Sequence, residues 1–472
     1  MSTQPTTLIP PAQIERNFRE IAPALTEAEA LFEANRCLFC FDAPCAVACP
    51  THIDVPAFIK KIATGNMTGS ARVIFDANPI GATCARVCPV EVLCEGACVE
   101  KTLMQKPIEI GRLQRYATDH VLSRGRDVLK AGAPNGKSVA VVGSGPAGLS
   151  CATYLARLGY GVTIYERKPL AGGLDTYGMA EYKMTQRVSQ EEVAQIARLG
   201  VEIRTNTEVG GEVSFDELAS KHDAVFLGVG LGATRGLGIP GEELEGVYDA
   251  LDFIERIKSR DWASVPVGRT VAVVGAGNTA VDAVTQARRL GAERVLMIYR
   301  RTANEMPAYS YEFELAKQDA VEFWWQTAPV AVLANGGGRV GALRCVRTEL
   351  TEPDADGKRA ARVVEGSEFE IPVDVVIKAT GQGKMKEWLT KTAGVKIDGA
   401  GRVAVNAETM QTSNAKIFAG GDCVNGGREA VDAAQMGKLA AQGIHAELTG
   451  ERVEFAGARV ILHESTGQIH AA

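Results

Sequence analysis

Short apolar runs that end on glycine-rich turns recur along the C-terminal two thirds of the chain. Residues 137–166, KSVAVVGSGPAGLSCATYLARLGYGVTIYE, give the pattern in full. Val139 to Val142 predict a buried strand, the glycine turn leads into a helix, and GVTIYE predicts a second strand. Residues 269–301, RTVAVVGAGNTAVDAVTQARRLGAERVLMIYRR, repeat the order strand, turn, helix, strand. VDVVIKATG (373–381) and AKIFAGGDC (415–423) each read as an apolar strand running into a turn. EAVDAAQMGKLAAQGIHAEL after them reads as a helix, as does a segment that carries Ile110, Leu113 and Ala117. No stretch approaches the apolar length that spans a bilayer.

At 472 residues the chain has room for two or three domains. Net charge is −6 with no basic stripe, which argues against a nucleic-acid partner. The N-terminus, MSTQPTTLIPPAQIERNF, lacks the cationic start and apolar run of a secretion signal, so the expected location is cytoplasmic. Thiols there serve metals or catalysis rather than structural disulfides. Of 11 cysteines, eight lie between Cys37 and Cys98, while Cys151, Cys345 and Cys423 are scattered, and the last two read as packing residues. A cysteine-dense head over residues 1–135 is therefore expected before a different body.

Gly143-Ser144-Gly145-Pro146-Ala147-Gly148 fits G-x-G-x-x-G between strand and helix. Gly143 allows the tight turn, Gly145 lets backbone approach a pyrophosphate, and Gly148 packs helix on strand. Glu166 ends the second strand, where a carboxylate accepts ribose hydroxyls. In the repeat, Ala276, Gly277, Asn278 and Thr279 form the turn, and the strand ends in Tyr299-Arg300-Arg301 instead of an acid. Arginines there suit a 2′-phosphate and lean toward NADPH; the alternative is a solvated surface pair. Ala379, Thr380, Gly381 and Gly420-Gly421-Asp422 resemble the ATG and GD signatures of two-dinucleotide-binding flavoproteins. That resemblance assigns both stretches to the first site, puts Asp422 at the flavin ribityl chain, and makes FAD the first dinucleotide. No cysteine pair follows Glu166, so electrons leave the flavin by another route than a redox disulfide.

The head holds Cys37, Cys40, Cys45 and Cys49 as C-x2-C-x4-C-x3-C-P, then Cys84, Cys88, Cys94 and Cys98. Zinc is one reading of C-x2-C. Two C-P pairs and compact C-x3-C steps look instead like ferredoxin-type ligation, in which the cysteine before proline serves the other cluster. Cys37, Cys40 and Cys45 then begin one [4Fe-4S] cluster, and Cys49 feeds a second.

RCLFC-x4-C-x3-CPTHIDVPAFI, NPIGATCARVCPVEVLCEGACV and KPIEIGRLQRYATD, followed by two dinucleotide folds, resemble the N-terminal half of dihydropyrimidine dehydrogenase, which in bacteria is a separate flavin subunit. The glutamate synthase small subunit is a more distant relative. The resemblance implies an α/β fold with two Rossmann-like domains, the second inserted in the first, preceded by an α-helical iron–sulfur domain. FAD would be bound by 136–240 and 371–472, and NAD(P)H by 241–370. It implies that Cys98 closes the first cluster, and that Cys49, Cys88, Cys94 and Gln114 hold the second. Cys84 is left unbound, although spacing alone makes it the eighth ligand. FAD residues carry over onto Gly145, Pro146, Glu166, Gly173, Leu174, Lys183, Val209 and Asp422. Lys183 departs from the arginine of the eukaryotic enzymes. The NAD(P)H residues carry over onto Gly277, Asn278, Thr279, Arg300 and Arg301, whereas a further 2′-phosphate arginine is absent where Met306-Pro307 stands.

The expected function is electron input: hydride passes from NAD(P)H to FAD, and two clusters relay single electrons to a partner. That partner carries FMN and iron–sulfur groups and reduces uracil or thymine, a step for which this chain has no flavin barrel. The alternatives are a glutamate-synthase-type small subunit and a zinc-stabilised nucleotide-binding scaffold.

Overall fold

The computed structural model describes residues 8–354, 357 and 359–455. The chain divides into two compact units. One comprises Met1–Ile21, Tyr177–Gln186 and Gly232–Gly383; the other comprises Ala22–Thr176, Arg187–Leu231 and Lys384–Ala472.

The first helix, α1 (Pro11–Asn17), belongs to the former, the nucleotide unit. It lies there, and not with the cysteine helices that follow it, because Ile14 and Phe18 are buried in that unit's core. Asn17 Nδ2 also donates to the Arg289 carbonyl at 2.8 Å.

The other unit opens with a cysteine-bearing set of helices, α2 (Glu27–Arg36), α3 (Pro44–Val47), α4 (Val55–Ala63), α5 (Met67–Ala77), α6 (Gly81–Val87), α7 (Val99–Leu103) and α8 (Ile110–Leu122). Thr26 and Glu29 form a capping box on α2, and Asp54 caps α4. Phe58, Ile59, Ile62, Ile74, Leu113 and Ala117 make the core, with Cys37, Cys45, Cys49, Cys94 and Cys98 at its edge.

The same unit continues as β1 (Ser138–Val142), α9 (Pro146–Arg157), β2 (Gly161–Tyr165), the short α10 (Leu174–Tyr177), α11 (Gln186–Ala197), β3 (Glu202–Arg204), α12 (Phe215–Lys221) and β4 (Ala224–Leu227). Its sheet runs β14-β4-β1-β2-β3, all parallel, with β14 (Ile417–Ala419) returning late in the chain. Four consecutive residues of β1 are buried, as an apolar run in a parallel sheet covered on both faces requires.

The nucleotide unit carries β5 (Val247–Asp249), α13 (Ala250–Lys258), β6 (Thr270–Val274), α14 (Asn278–Arg289), β7 (Arg294–Ile298), α15 (Ser310–Gln318) and β8 (Glu322–Trp324). Its parallel sheet has the order β5-β13-β6-β7-β8, in which β13 is Val375–Lys378. An antiparallel layer, β9 (Thr327–Ala334), β10 (Val340–Leu350), β11 (Ala361–Val363) and β12 (Phe369–Pro372), precedes β13 (Val375–Lys378). The ATG stretch thus lies in the second sheet, since β13 hydrogen-bonds β5 and β6. The GD stretch follows β14 in the first sheet and starts α16 (Asp422–Asn425). Then α17 (Ala430–Thr449) packs on α9, where a Cβ at Gly437 would stand 2.2 Å from the Ala147 carbonyl oxygen. Among the described residues no helix is long and apolar enough to cross a membrane.

Candidate functional site

The first glycine turn is held by its own geometry. Gly143 has φ +97°, and a Cβ on Gly148 would sit 2.0 Å from the Gly143 carbonyl oxygen, so only glycine lets α9 start this close to β1. Gly145, by contrast, faces open space, with nothing within 4 Å of a built Cβ. It is the N-cap of α9 and offers no side-chain cap, which leaves the first amides of a 12-residue helix for an anion. Ser144 donates its amide and hydroxyl to Glu166 at 3.1 and 2.5 Å, and Lys168 N donates to the same carboxylate at 2.8 Å. Gly173 comes back against Gly145, its Cβ position 2.7 Å from the Gly145 Cα, and brings Leu174 with it. Pro146 and Ala147 open α9; Gly421 lies near Ala147, whose Cβ is 3.0 Å from a Cβ built on it. Asp422 follows at the start of α16, accepting from Arg428 N at 3.3 Å, and burial raises its pKa. The Val209 carbonyl accepts from Trp388 Nε1 at 3.0 Å, in the same unit. An uncapped helix start with an open glycine beside it is what a dinucleotide pyrophosphate needs, so these residues fit FAD.

The second turn repeats this in the nucleotide unit. Gly275 has φ +140°, and a Cβ there would lie 2.3 Å from the Ala379 carbonyl oxygen; Gly277 again faces open space and caps α14 without a side chain. Ala276 is buried, and Asn278 Oδ1 accepts from Tyr309 N at 3.1 Å, which brings the start of α15 to the turn that Thr279 continues. Thr380 Oγ1 donates to the Arg235 carbonyl at 2.6 Å, and Arg235 N donates to the Gly381 carbonyl at 2.9 Å. Arg300 and Arg301 follow β7; the Arg300 side chain is exposed, and Arg301 Nε is buried without a hydrogen-bond partner. These residues fit a nicotinamide dinucleotide. Lys183, carried over to the flavin set, lies in this unit. Its ammonium pairs with Asp282 at 2.6 Å and with Glu312. Burial alone would lower its pKa, but the two carboxylates raise it.

In the cysteine helices, Cys37 terminates α2 and Cys98 precedes α7. Left-handed φ values at Phe39 and Ala43, 51° and 36°, turn the chain between Cys37 and Cys45. As a result Cys37, Cys40, Cys45 and Cys98 line one cavity, walled by Val55, Ile59, Ile108 and Ile110. Burial pushes the Cys45 thiol up to about 12, with Cys98 and Cys37 adding to it. In a second group, a hydrogen bond with Cys84, burial, and the nearby Cys94 and Cys49 raise the pKa of Cys88. Burial, Glu95 and Cys49 do the same to Cys94. Cys84 is itself buried, with its sulfur accepting from Asn78 Nδ2 at 3.1 Å. Gln114 on α8 is buried and donates Nε2 to the Gly81 carbonyl at 2.7 Å. Thiols gathered this closely ionise together only against a strong positive charge, which bound iron supplies. A cage around a void is the arrangement that fits a cluster.

One residue here had no local signal in the sequence. Glu192 on α11 accepts from Ala82 N at 2.7 Å, Thr83 N at 3.2 Å and Thr83 Oγ1 at 2.5 Å, clamping the start of the helix that carries Cys84. Burial raises its pKa to about 7 against those hydrogen bonds.

Two family models match in tandem: dihydropyrimidine dehydrogenase domain II, 4Fe-4S cluster, over residues 14–126, and pyridine nucleotide-disulphide oxidoreductase over residues 137–437. The chain belongs to the pyridine nucleotide-disulphide oxidoreductase family. Within it, the chain is 39% identical over 443 residues to the glutamate synthase [NADPH] small chain of Escherichia coli, covering 90% of this chain and 93% of that one. It is 35% identical over 426 residues to the NAD-dependent dihydropyrimidine dehydrogenase subunit PreT of Salmonella typhimurium, covering 90% and 96%. The solved structure of Mycobacterium tuberculosis FprA in complex with NADPH shares the fold at TM-score 0.53 and 20% identity, over 68% of this chain and 87% of that one. The chain is accordingly an NAD(P)H-dependent flavin and iron–sulfur oxidoreductase, with FAD, [4Fe-4S] and NAD(P)H as cofactors.

Proposed function

We propose that this chain is the electron-input subunit of a dihydropyrimidine dehydrogenase, assembled with an FMN- and iron–sulfur-bearing partner that reduces uracil or thymine at the 5,6 double bond. The observation that carries the reading is the cavity that Cys98 shares with Cys37, Cys40 and Cys45, the interleaving implied by the resemblance. The match of 14–126 to a dihydropyrimidine dehydrogenase domain and the near full-length likeness to PreT support the same choice. Those four cysteines hold one cluster. Cys49, Cys88 and Cys94 hold the other, with the Gln114 amide oxygen as its fourth donor, since Nε2 is already committed to Gly81.

FAD accepts a hydride from NAD(P)H and the clusters pass its electrons on singly. The protein's part is placement. The open start of α9 holds the FAD pyrophosphate, and Glu166, fixed by Ser144 and Lys168, orients the ribose end. Asp422 takes the ribityl chain, and the start of α14 holds the second pyrophosphate. Arg300 and Arg301 read the 2′-phosphate. Arg300→Ala should weaken NADPH use about ten- to a hundredfold more than NADH use, as loss of a charge-assisted contact does. Steady-state kinetics with both nucleotides check this; equal losses would show that Arg300 does not read the phosphate.

The second reading, a glutamate synthase small subunit, is favoured by the 39% identity, which exceeds the 35% shared with PreT and overturns the expectation of a more distant relative. Purification of the tagged chain from its native host separates the two. The proposal expects an FMN protein to come with it, whereas a partner bearing a glutaminase domain would establish the second reading.

A further inference from the structure

Lys438 lies two turns into α17 and is 6% exposed. Its Nζ donates to the Thr51 carbonyl at 2.9 Å and stands 5.6 Å from the centre of the Tyr154 ring. Thr51 Oγ1 in turn lies 3.4 Å from Cys49 Sγ. Two other lysines with little exposure have carboxylates: Lys183 has Asp282 and Glu312, and Lys258 has Glu181. Among the described residues no carboxylate pairs with Lys438. Burial lowers its pKa to about 8, with Cys49 acting to raise it and Arg157 to lower it. An ammonium buried this deeply is costly unless an anion answers it. Among the described residues the one group shown to favour its charge is Cys49, whose sulfur carries negative charge when it ligates a cluster.

We propose that Lys438 is the fixed counter-charge of the cluster bound through Cys49 and raises its reduction potential, so that this cluster is the one the reduced flavin feeds. The inference rests on the two-cluster reading above. Each reduction adds one electron and moves no atom, so the site next to Lys438 gains one unit of negative charge. A cation held close by in a low-dielectric setting stabilises the reduced form more than the oxidised form. The helix is suited to this, because α17 follows the Asp422 segment of the flavin site and sends Lys438 to the Cys49 loop.

The test is an anaerobic redox titration of the cluster-loaded full chain, followed by EPR, for wild type, Lys438→Gln, Lys438→Met and Lys438→Arg. Glutamine keeps a donor for the Thr51 carbonyl and removes the charge. At the wild-type midpoint, the reduced-to-oxidised ratio of the Cys49 cluster should fall about tenfold in the Gln and Met variants. That corresponds to about 59 mV for a one-electron couple. The Arg variant should match wild type, and the cluster of Cys37, Cys40, Cys45 and Cys98 should shift less. Full iron content with an unmoved potential in Lys438→Gln would overturn the proposal. So would loss of iron in Lys438→Gln, which would mark Lys438 as a packing support. A wild-type chain with only about four irons would instead overturn the two-cluster reading, and iron analysis decides that before any variant is titrated.

Discussion

Cys49→Ala should remove the cluster shared with Cys88 and Cys94 and leave intact the one shared by its sequence neighbours Cys37, Cys40 and Cys45. Iron should fall from about eight to about four per chain, and electron delivery beyond the flavin should stop. The reason is spatial. Cys98 and Cys37 act on Cys45 around the cavity they line together, while Cys49 acts on both Cys88 and Cys94; Cys45 also reaches Cys94 but lies in the wall of the first cavity. Cys84→Ala should keep all the iron, because that sulfur is already engaged with Asn78 and Cys88 as a buried packing group. Gln114→Ala should alter the EPR signal of the second cluster alone. Iron analysis with EPR under anaerobic reduction reads all three variants. Loss of a cluster in Cys84→Ala, with no spectral change in Gln114→Ala, would mean an all-cysteine pair.

Gly148→Ala should yield protein without flavin. A Cβ 2.0 Å from the Gly143 carbonyl oxygen cannot be accommodated by a side-chain rotation, because both sides of the contact are backbone. Forcing helix and strand apart costs ~3 kcal/mol or more and opens the turn that receives the pyrophosphate. Gly145→Ala makes the informative contrast. Its Cβ meets no protein atom within 4 Å, and its φ of −67° suits alanine, so the apoprotein should fold normally. FAD affinity should still fall, because the methyl group occupies the open side of the turn. Thermal unfolding and bound-flavin absorbance measure both effects. A flavin-replete Gly148→Ala chain would contradict this account of the turn.

The two strand–turn–helix units were legible because each demand is local. An apolar run wide enough to be buried on both faces, a glycine at a forced contact and a helix of small residues occur within thirty residues. The cysteine blocks were legible for the same reason. What local patterns could not decide was which sheet a lone strand joins. VDVVIKATG reads as a buried parallel strand, and nothing in its periodicity distinguishes the first sheet from the second, where β5 and β6 claim it. The antiparallel layer escaped notice because the pairing of β9 with β10 shifts register between Val340 and Ala342 and again between Arg344 and Cys345, which breaks the period-two signal. Lys183 and Lys438 look alike as exposed-type residues in helical or turn sequence. Only the structure separates them, one held by two carboxylates and the other buried beside a cysteine loop.

The central claim is that this chain passes electrons from NAD(P)H to a pyrimidine-reducing partner. The most direct measurement is anaerobic mixing of the FAD- and cluster-loaded chain with NAD(P)H and uracil, with and without the FMN protein purified from the same host. Dihydrouracil and nucleotide oxidation are both followed. The account predicts that the chain alone reduces an artificial acceptor but forms no dihydrouracil, and that uracil is reduced once the partner is added. Dihydrouracil formed by the chain alone, or none formed with the partner present, would contradict it.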